Sequence, residues 1–517
     1  LAADGNESLR VYLDDDHSGY GVYDGNKTKA RSWDYTDKTK AKPSEVAAVL
    51  NRAILKSIGT SYQVNLYAIG IDSTTGDGVV AIGHINKNIR GYYAYSSSFG
   101  GGDLSYSGTV RAYDLAVYGE SKSDEFGYTV AISKVDQSPD AGYSPYSVII
   151  SAPGLSGNKG SVYILRVPET AIAANNSQIK LASSTSEVFR INATAEGRLG
   201  SALAFYDKIG NDGFNEIYTS APFIDSTVNA DTETGAVYRI NSEDFTAGNT
   251  ATITATADLT LLGQEANSLF GYQIKIGAIG KVLGTDINGI LIGAPGLEGA
   301  ANYTGKVYQS RLDAGYTLAD ASEATFSLRS GDAIPGDLFG YSLELLGSNF
   351  SSDCPCIVAG APGYTPTDKG RVYIKAYNKE MYLDGYHDGD RLGNSLYAGI
   401  IDSTSDANTA KTLFIGSRSN DNKGKITIIR KQTLTADGAM VSSTPAITLT
   451  GTYQGDHFAN TITLLVSSVT GKALLSGMAG DTGYTAAGYE SDSYYQKNGG
   501  VKQKGSVRVY SGVKLGY

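Results

Sequence analysis

A chain that repeats one short strand-and-turn unit is bound to fold as an array of that unit. The unit is clearest over residues 126–167, FGYTVAISKVDQSPDAGYSPYSVIISAPGLSGNKGSVYILRV. It opens on an aromatic-Gly pair and an alternating run, Tyr128, Val130 and Ile132, the period of a strand. An Asp-bearing turn follows, then a second apolar run from Val148 to Ile150. That run stops at Ala152-Pro153-Gly154, because proline cannot donate to a ladder. A third run, Ser161 to Leu165, follows a Gly-containing turn. Three short strands form a small antiparallel sheet, and one such sheet cannot cover both of its own faces.

Copies of the unit supply the cover. The pattern returns at Leu199 (LGSALAFYDKIGNDGFNEIYTSAP, GAVYRI), Phe270 (FGYQIKIGAIG, ILIGAPG, GKVYQSRL) and Phe339 (FGYSLELLG, IVAGAPG, GRVYIKAY). It weakens at Leu392 (LGNSLYAGIID, LFIGSR, GKITIIRK) and Phe458 (FANTITLLVSS, ALLSGMAG, GSVRVY), and an early copy runs from Ser61 to Tyr113. The starts at 61, 126, 199, 270, 339, 392 and 458 lie 53 to 73 residues apart, about one four-stranded sheet. The fourth strand precedes each restart, in VFRINATAEGRLG, LTLLGQEANSLFG, FSLRSGDAIPGDLFG, MYLDGYHDGDRLG and ITLTGTYQGDHFA. The same element stands alone near the amino terminus, in SLRVYLDDDHSGYG, and the last copy has none behind it. A closed ring explains both, since the amino-terminal strand then completes the final sheet and hides its edge.

The FG, GAP and G-x-V-Y elements resemble the FG-GAP repeat of integrin α-subunit propellers and of secreted bacterial and fungal propellers. With seven copies the resemblance covers nearly the whole chain. It implies an all-β fold, a β-propeller of four-stranded blades over residues 61–517. The acidic, Tyr-rich and Gly-rich character is most similar to secreted biofilm-matrix adhesins of vibrios. Their propeller has eight blades and an inserted lectin-like β-prism, whereas seven sheets and no insertion are counted here. The resemblance implies an extracellular location, binding to a polysaccharide, glycan or extracellular matrix, and structural Ca²⁺. A propeller scaffold by itself specifies no activity.

Composition agrees with such a fold. The 517 residues include 63 Gly and 37 Tyr, with only 19% charged. A net charge of −10 argues against a nucleic-acid backbone as partner. No apolar stretch of about twenty residues is present to span a membrane as a helix. Cys354 and Cys356 stand one residue apart in DCPC, so either both are free or a local bridge joins them, in a structural role. Leu1 does not open a signal peptide, and LAADG reads as a trimmed end.

Residues 1–60 are expected to hold the closing strand, a polar segment containing the single Trp, Trp33, and a short helix over Pro43–Ser57. Ser44 would cap that helix, with Val46, Val49, Leu50, Ala53 and Ile54 on one face. A degenerate eighth sheet is a second reading of this segment.

Two kinds of site emerge. Integrin-like propellers resemble one another in a D-x-[DN]-x-D-G-x-x-D turn that wraps Ca²⁺, since a hard cation needs six to eight oxygens. The best match is Asp207, Asn211, Asp212 and Glu216, although its first Asp is one residue too far out and its last acid is Glu. Weaker matches are Asp72 with Asp77, Asp136 with Asp140, and Asp402 with Asp406 and Asn408. An ordinary Asn-Asp-Gly turn with solvated charges is the plainer reading of the best match. The second kind is a pair of long loops placed between second and third strands, 90–107 and 479–504. Their Tyr, Ser, Gly and Asn content is that of a paratope. In a ring, Tyr92, Tyr93, Tyr95, Phe99 and Tyr106 are expected to face Tyr484, Tyr489, Tyr494 and Tyr495 and bind a ligand. Four His in separate copies, with no HExxH, GxSxG or P-loop, favour a binder over an enzyme. His387 and His457, in matching links, are read as surface groups. Integrin-like protein recognition and a propeller-type polysaccharide lyase are the alternatives.

Overall fold

The computed structural model describes residues 9–13, 49–57, 60–71, 77–85, 115–122, 124–137, 143–168, 177–180, 188–207, 213–225, 233–241, 245, 250–253, 257–282, 285–296, 305–312, 325–326, 336–347, 350–364, 367–376, 379–399, 412–418, 423–429, 438–439, 447–450, 459, 461–467, 471–478 and 505–511. Within them the chain is all-β, with seven sheets each built on four strands, numbered here in chain order. The first sheet holds β2 (Val49–Ser57), β3 (Thr60–Ile71), β4 (Asp77–Ile85) and β5 (Leu115–Lys122). The second holds β6 (Val130–Ser133), β7 (Tyr143–Ala152), β8 (Ser161–Pro168) and β10 (Val188–Asn192). The third holds β11 (Leu203–Tyr206), β12 (Glu216–Ala221), β13 (Ala236–Ile240) and β15 (Ala257–Leu262). The fourth holds β16 (Gln273–Val282), β17 (Thr285–Ala294), β18 (Lys306–Arg311) and β19 (Thr325–Phe326). The fifth holds β20 (Ser342–Leu346), β21 (Cys356–Ala361), β22 (Arg371–Lys375) and β23 (Glu380–Asp384). The sixth holds β24 (Ser395–Gly399), β25 (Thr412–Ser417), β26 (Lys425–Ile429) and β28 (Ile447–Thr450). The seventh holds β29 (Thr461–Ser467), β30 (Gly471–Met478), β31 (Gly505–Ser511) and β1 (Leu9–Leu13). The one short helix among the described residues is Leu155–Asn158.

Each sequence element of the repeat has a fixed structural task. In Phe-Gly-Tyr the glycine takes φ +92 at both Gly127 and Gly340, and its N–H donates to the carbonyl of the residue before the Ala-Pro step. That bond is Gly127 to Ser151 at 2.9 Å, Gly271 to Gly293 at 3.0 Å and Gly340 to Gly360 at 3.0 Å. The Phe turns inward and meets the Tyr of the third strand edge to face. Ring centroids are 5.4 Å apart for Phe126 and Tyr163, 5.1 Å for Phe270 and Tyr308, and 5.3 Å for Phe339 and Tyr373. Each pair adds about 1 kcal/mol beyond its burial.

The glycine of G-x-V-Y joins one unit to the next. Gly160, Gly305 and Gly370 form parallel bridges to Leu199, Phe339 and Leu392, the first residues of the following copies. A Cβ on Gly370 would stand 2.1 Å from the Leu392 nitrogen. Cores then fill the spaces between consecutive sheets. Ile149, Val162 and Phe189 of the second sheet pack on Ile217 and Tyr238 of the third, and Val358, Val372 and Ile374 of the fifth on Leu396, Leu413 and Ile415 of the sixth. On β21, Cys356 and Val358 face the sixth sheet while Ile357, Ala359 and Ala361 face the fourth. A strand covered on both sides reads as a continuous apolar run rather than an alternating one.

The first strands touch one another. β2 lies beside β6 and β29, β11 beside β6 and β16, and β20 beside β16 and β24, with β24 also against β29.

Several expectations need correction. Residues 49–57 are a strand, β2, paired antiparallel with β3 from Val49 opposite Ala68 to Ser57 opposite Thr60, not the end of a helix over 43–57. Pairing along nine residues outweighs a helical pattern whose propensity is worth only tenths of a kcal/mol per residue. The first unit therefore starts near 49 rather than 61, the boundary at 60 falls inside a hairpin, and this stretch belongs to the first of seven sheets rather than to an eighth. β1 does pair with β31 in the last sheet, but parallel, with Leu9 opposite Gly505. Three short strands were unforeseen: β9 (Ser177–Lys180), β14 (Thr250–Thr252) and β27 (Gly438–Ala439) run parallel along β5, β10 and β23. Each comes from the following unit, between its third and fourth strands, and covers the outer edge of the sheet before it.

The joint predicts a measurable contrast. Gly370 and Gly157 share a positive φ, +75 and +74, but a Cβ on Gly157 meets nothing within 4 Å. In urea unfolding, Gly157→Ala is expected to cost about 1 kcal/mol for backbone strain alone. Gly370→Ala should cost at least about 2 kcal/mol more, through the collision with the next unit. Equal losses would mean that the joint carries no special load.

Candidate functional site

The tight turn that buries each Phe leaves the residue after its glycine at the head of the first strand. Tyr128 N–H donates to the Glu125 carbonyl at 3.0 Å, Tyr272 to Leu269 at 2.9 Å and Tyr341 to Leu338 at 3.0 Å, so one turn is built three times. These three tyrosines come from the second, fourth and fifth sheets, and two of them meet while the third lies near. The Tyr272 and Tyr341 rings lie 4.9 Å apart, and Tyr128 is close enough to feel both Tyr341 and Arg198. Tyr128 is 44% exposed, whereas Phe126, two residues earlier, is 5% exposed.

Arg198 occupies in the third unit the turn position that Glu125 holds in the second, and the two form an ion pair. Its guanidinium also reaches Asn158 Oδ1 at 3.3 Å and lies 5.9 Å from the Tyr128 ring and 5.7 Å from that of Phe223. Crowding by protein raises the Tyr128 hydroxyl above its ordinary 10 even though part of the ring sees solvent, with Arg198 opposing. Burial pushes Tyr272 further above that value, helped by its hydrogen bond with Tyr341. Both phenols therefore stay protonated through the physiological range.

Three residues further along the first strands a second layer forms. Lys275 Nζ lies 3.0 Å from Glu344 Oε2, across the fourth and fifth sheets, and Tyr397 of the sixth is near. Burial opposes the Lys275 charge, but Glu344, with Tyr397, outweighs it and holds the ammonium above its ordinary 10.5.

The expected cation turns are only partly visible. Asp207 follows β11, and its Oδ2 accepts the Gly213 N–H at 2.8 Å. Its Oδ1 is buried without a hydrogen-bond partner, and Glu216 opens β12 fully buried. Asn215 instead ties this turn to the second sheet, its N–H donating to the Lys134 carbonyl at 2.7 Å and its Nδ2 to Ser133 Oγ at 3.0 Å. Asp136 lies against Arg166, which donates Nη2 to Oδ1 at 3.1 Å and Nε to the other oxygen. Asp77 begins β4, opposite Lys122, on the connection between second and third strands rather than first and second. Asn211, Asp212, Asp72, Asp140, Asp402, Asp406 and Asn408 lie outside the described residues. Among the described residues no cluster of three or more His, Cys, Asp or Glu is assembled to hold a metal.

Tyr92, Tyr93, Tyr95, Phe99, Tyr106, Tyr484, Tyr489, Tyr494 and Tyr495 also lie outside the described residues. The flanking strands nevertheless correct their placement. Segment 90–107 joins β4 to β5, the third and fourth strands of its sheet, whereas 479–504 joins the second and third. Along an antiparallel meander such connections leave from opposite ends. Cys354 and Cys356 form a disulfide, both fully buried against the sixth sheet. His387 packs edge to face on Tyr386, which is 80% exposed.

No protein-family model matches the chain, and no curated protein shows significant similarity to it. No helix among the described residues is long and apolar enough to cross a membrane.

The second layer has a pH signature. A Lys whose proton is held more tightly when folded stabilises fully below pH 10.5 and loses that contribution as pH rises through its higher folded value. A double-mutant cycle with Lys275→Met and Glu344→Gln should give a coupling of about 1 kcal/mol, flat from pH 7 to about 10 and shrinking above. A coupling absent at pH 7 would remove the ion pair as a link between the two sheets.

Proposed function

We propose that the seven sheets close into an FG-GAP β-propeller serving outside the cell as a non-enzymatic adhesion scaffold for carbohydrate or extracellular matrix. Closure is supported by the first strands, each with a neighbour on either side, β2 touching both β6 and β29. The pairing of Tyr272 with Tyr341, with Tyr128 near them, carries the functional reading. Three aromatic rings, drawn from three sheets, offer π faces to the C–H face of a sugar and hydrogen bonds to its hydroxyls. A ring whose first strands all start at one end has the end of β30 and the start of β31 at that same end, and the end of β4 and the start of β5 at the other. On this reading Tyr484, Tyr489, Tyr494 and Tyr495, in the chain between β30 and β31, are further candidates for contact with the ligand.

The buried Cys354–Cys356 bridge agrees with maturation in an oxidising compartment. Structural Ca²⁺ belongs to the same reading. Asp207, with its buried unmatched oxygen, and Glu216 would hold it, joined by Asn211 and Asp212. The ion would tie the first two strands of the third sheet together and neutralise their acids.

Binding of the purified chain to a polysaccharide and glycan array, with Ca²⁺ and with chelator, tests the proposal. A saccharide signal is expected that falls at least tenfold in Tyr272→Ala, and that also falls when Tyr494 and Tyr495 are both replaced by Ala. Chelation should lower the melting temperature, and less so in Asp207→Asn. Silence across the array from a folded protein would overturn the carbohydrate reading in favour of a protein partner.

A further inference from the structure

We infer that the tyrosine site selects neutral saccharides and discriminates against anionic ones, an inference that rests on the carbohydrate reading and adds the ligand's charge class. Every cation described at the site is already matched by a carboxylate. Arg198 is paired with Glu125, and its remaining reach is taken by Asn158 and the faces of Tyr128 and Phe223. Lys275, in the layer beyond, is paired with Glu344 at 3.0 Å. A uronate or sulfate entering here would have to break one of these pairs and leave Glu125 or Glu344 without its counterion, beside the new negative charge. The whole chain, at −10, adds a repulsive field at longer range. A neutral pyranose meets no such penalty. Its hydroxyls find phenol groups that both donate and accept, and Tyr128 and Tyr272 keep their protons well into the alkaline range. The aromatic faces, negative at their centres, favour the weakly positive C–H face of the sugar.

The test is calorimetric titration of the full chain, at fixed ionic strength, with neutral gluco-, manno- and galacto-oligosaccharides and with oligogalacturonate. Wild type should bind at least one neutral series and bind oligogalacturonate at least tenfold more weakly. Tyr341→Ala should weaken the neutral ligand at least tenfold. Tyr341→Phe, which keeps the ring against Tyr272 should the alanine variant fail to fold, should weaken it by a smaller factor. Removing the matched carboxylates in Glu125→Gln with Glu344→Gln should narrow the gap by strengthening oligogalacturonate binding. Equal or tighter oligogalacturonate binding by wild type, lost in Tyr341→Ala, overturns the charge selection and leaves carbohydrate recognition standing. Neutral binding indifferent to both Tyr341 variants overturns the assignment of the site. No binding to any of these saccharides overturns the carbohydrate reading itself and this inference with it.

Discussion

The fold depends on backbone meeting backbone where one unit ends and the next begins. At Gly160, Gly305 and Gly370 the third strand of a unit is bridged to the opening residue of its successor. The space left for a side chain at Gly305 is as small as at Gly370, with the Phe339 nitrogen 2.4 Å from where its Cβ would lie. Because the bridge fixes the opening residue, it fixes the turn that follows, the burial of Phe339 against Tyr373 and the start of the next first strand. Position is thus handed from sheet to sheet by main-chain geometry, and the apolar cores between sheets fill a spacing already set.

The same handover makes the tyrosine site. Tyr128, Tyr272 and Tyr341 are left at the heads of the first strands, exposed in the first case and half-buried in the other two, once Phe126, Phe270 and Phe339 have gone inward. The tyrosine cluster and the structural repeat are two sides of one turn, which is why its polar groups come from several consecutive sheets rather than from one. Replacing one turn residue perturbs packing on one side and the tyrosine cluster on the other. Ser201 and Asn394, at the equivalent positions of the third and sixth units, are small and polar, so among the second to sixth units this tyrosine stands only in the second, fourth and fifth.

What was legible in the sequence is what local chemistry dictates. The Gly and Pro punctuation marked the second and third strands of the units from 126 to 458, and the fourth strands at β10, β15, β19, β23 and β28 fell where the links before each restart placed them. Residues 49–57 were misread because their apolar spacing satisfies a helix, and only the partner strand 60–71 makes them extended. That error moved the first unit by one strand and sent 90–107 to the wrong end of its sheet. The parallel additions β9, β14 and β27, of two to four residues, carry no signal of their own, since their pairing is wholly non-local. Phe-Gly-Tyr was visible three times, but that Tyr272 and Tyr341 meet, with Tyr128 and Arg198 nearby, follows only from the arrangement of sheets. The spacing of Cys354 and Cys356 left bridged and free thiols open, and the structure joins them in a bridge.

The parallel pairing of β1 with β31 has a mechanical meaning. The strand from near the beginning of the chain and the strand from near its end lie side by side over five residue pairs, pointing the same way. Tension between the segment before Leu9 and the segment after Ser511 pulls the two strands past each other along their length. It loads the hydrogen bonds of all five pairs together, instead of peeling them one at a time. A molecule held by its two ends resists in shear at that seam, and the rate at which this sheet opens, more than its equilibrium stability, sets how long it bears a load.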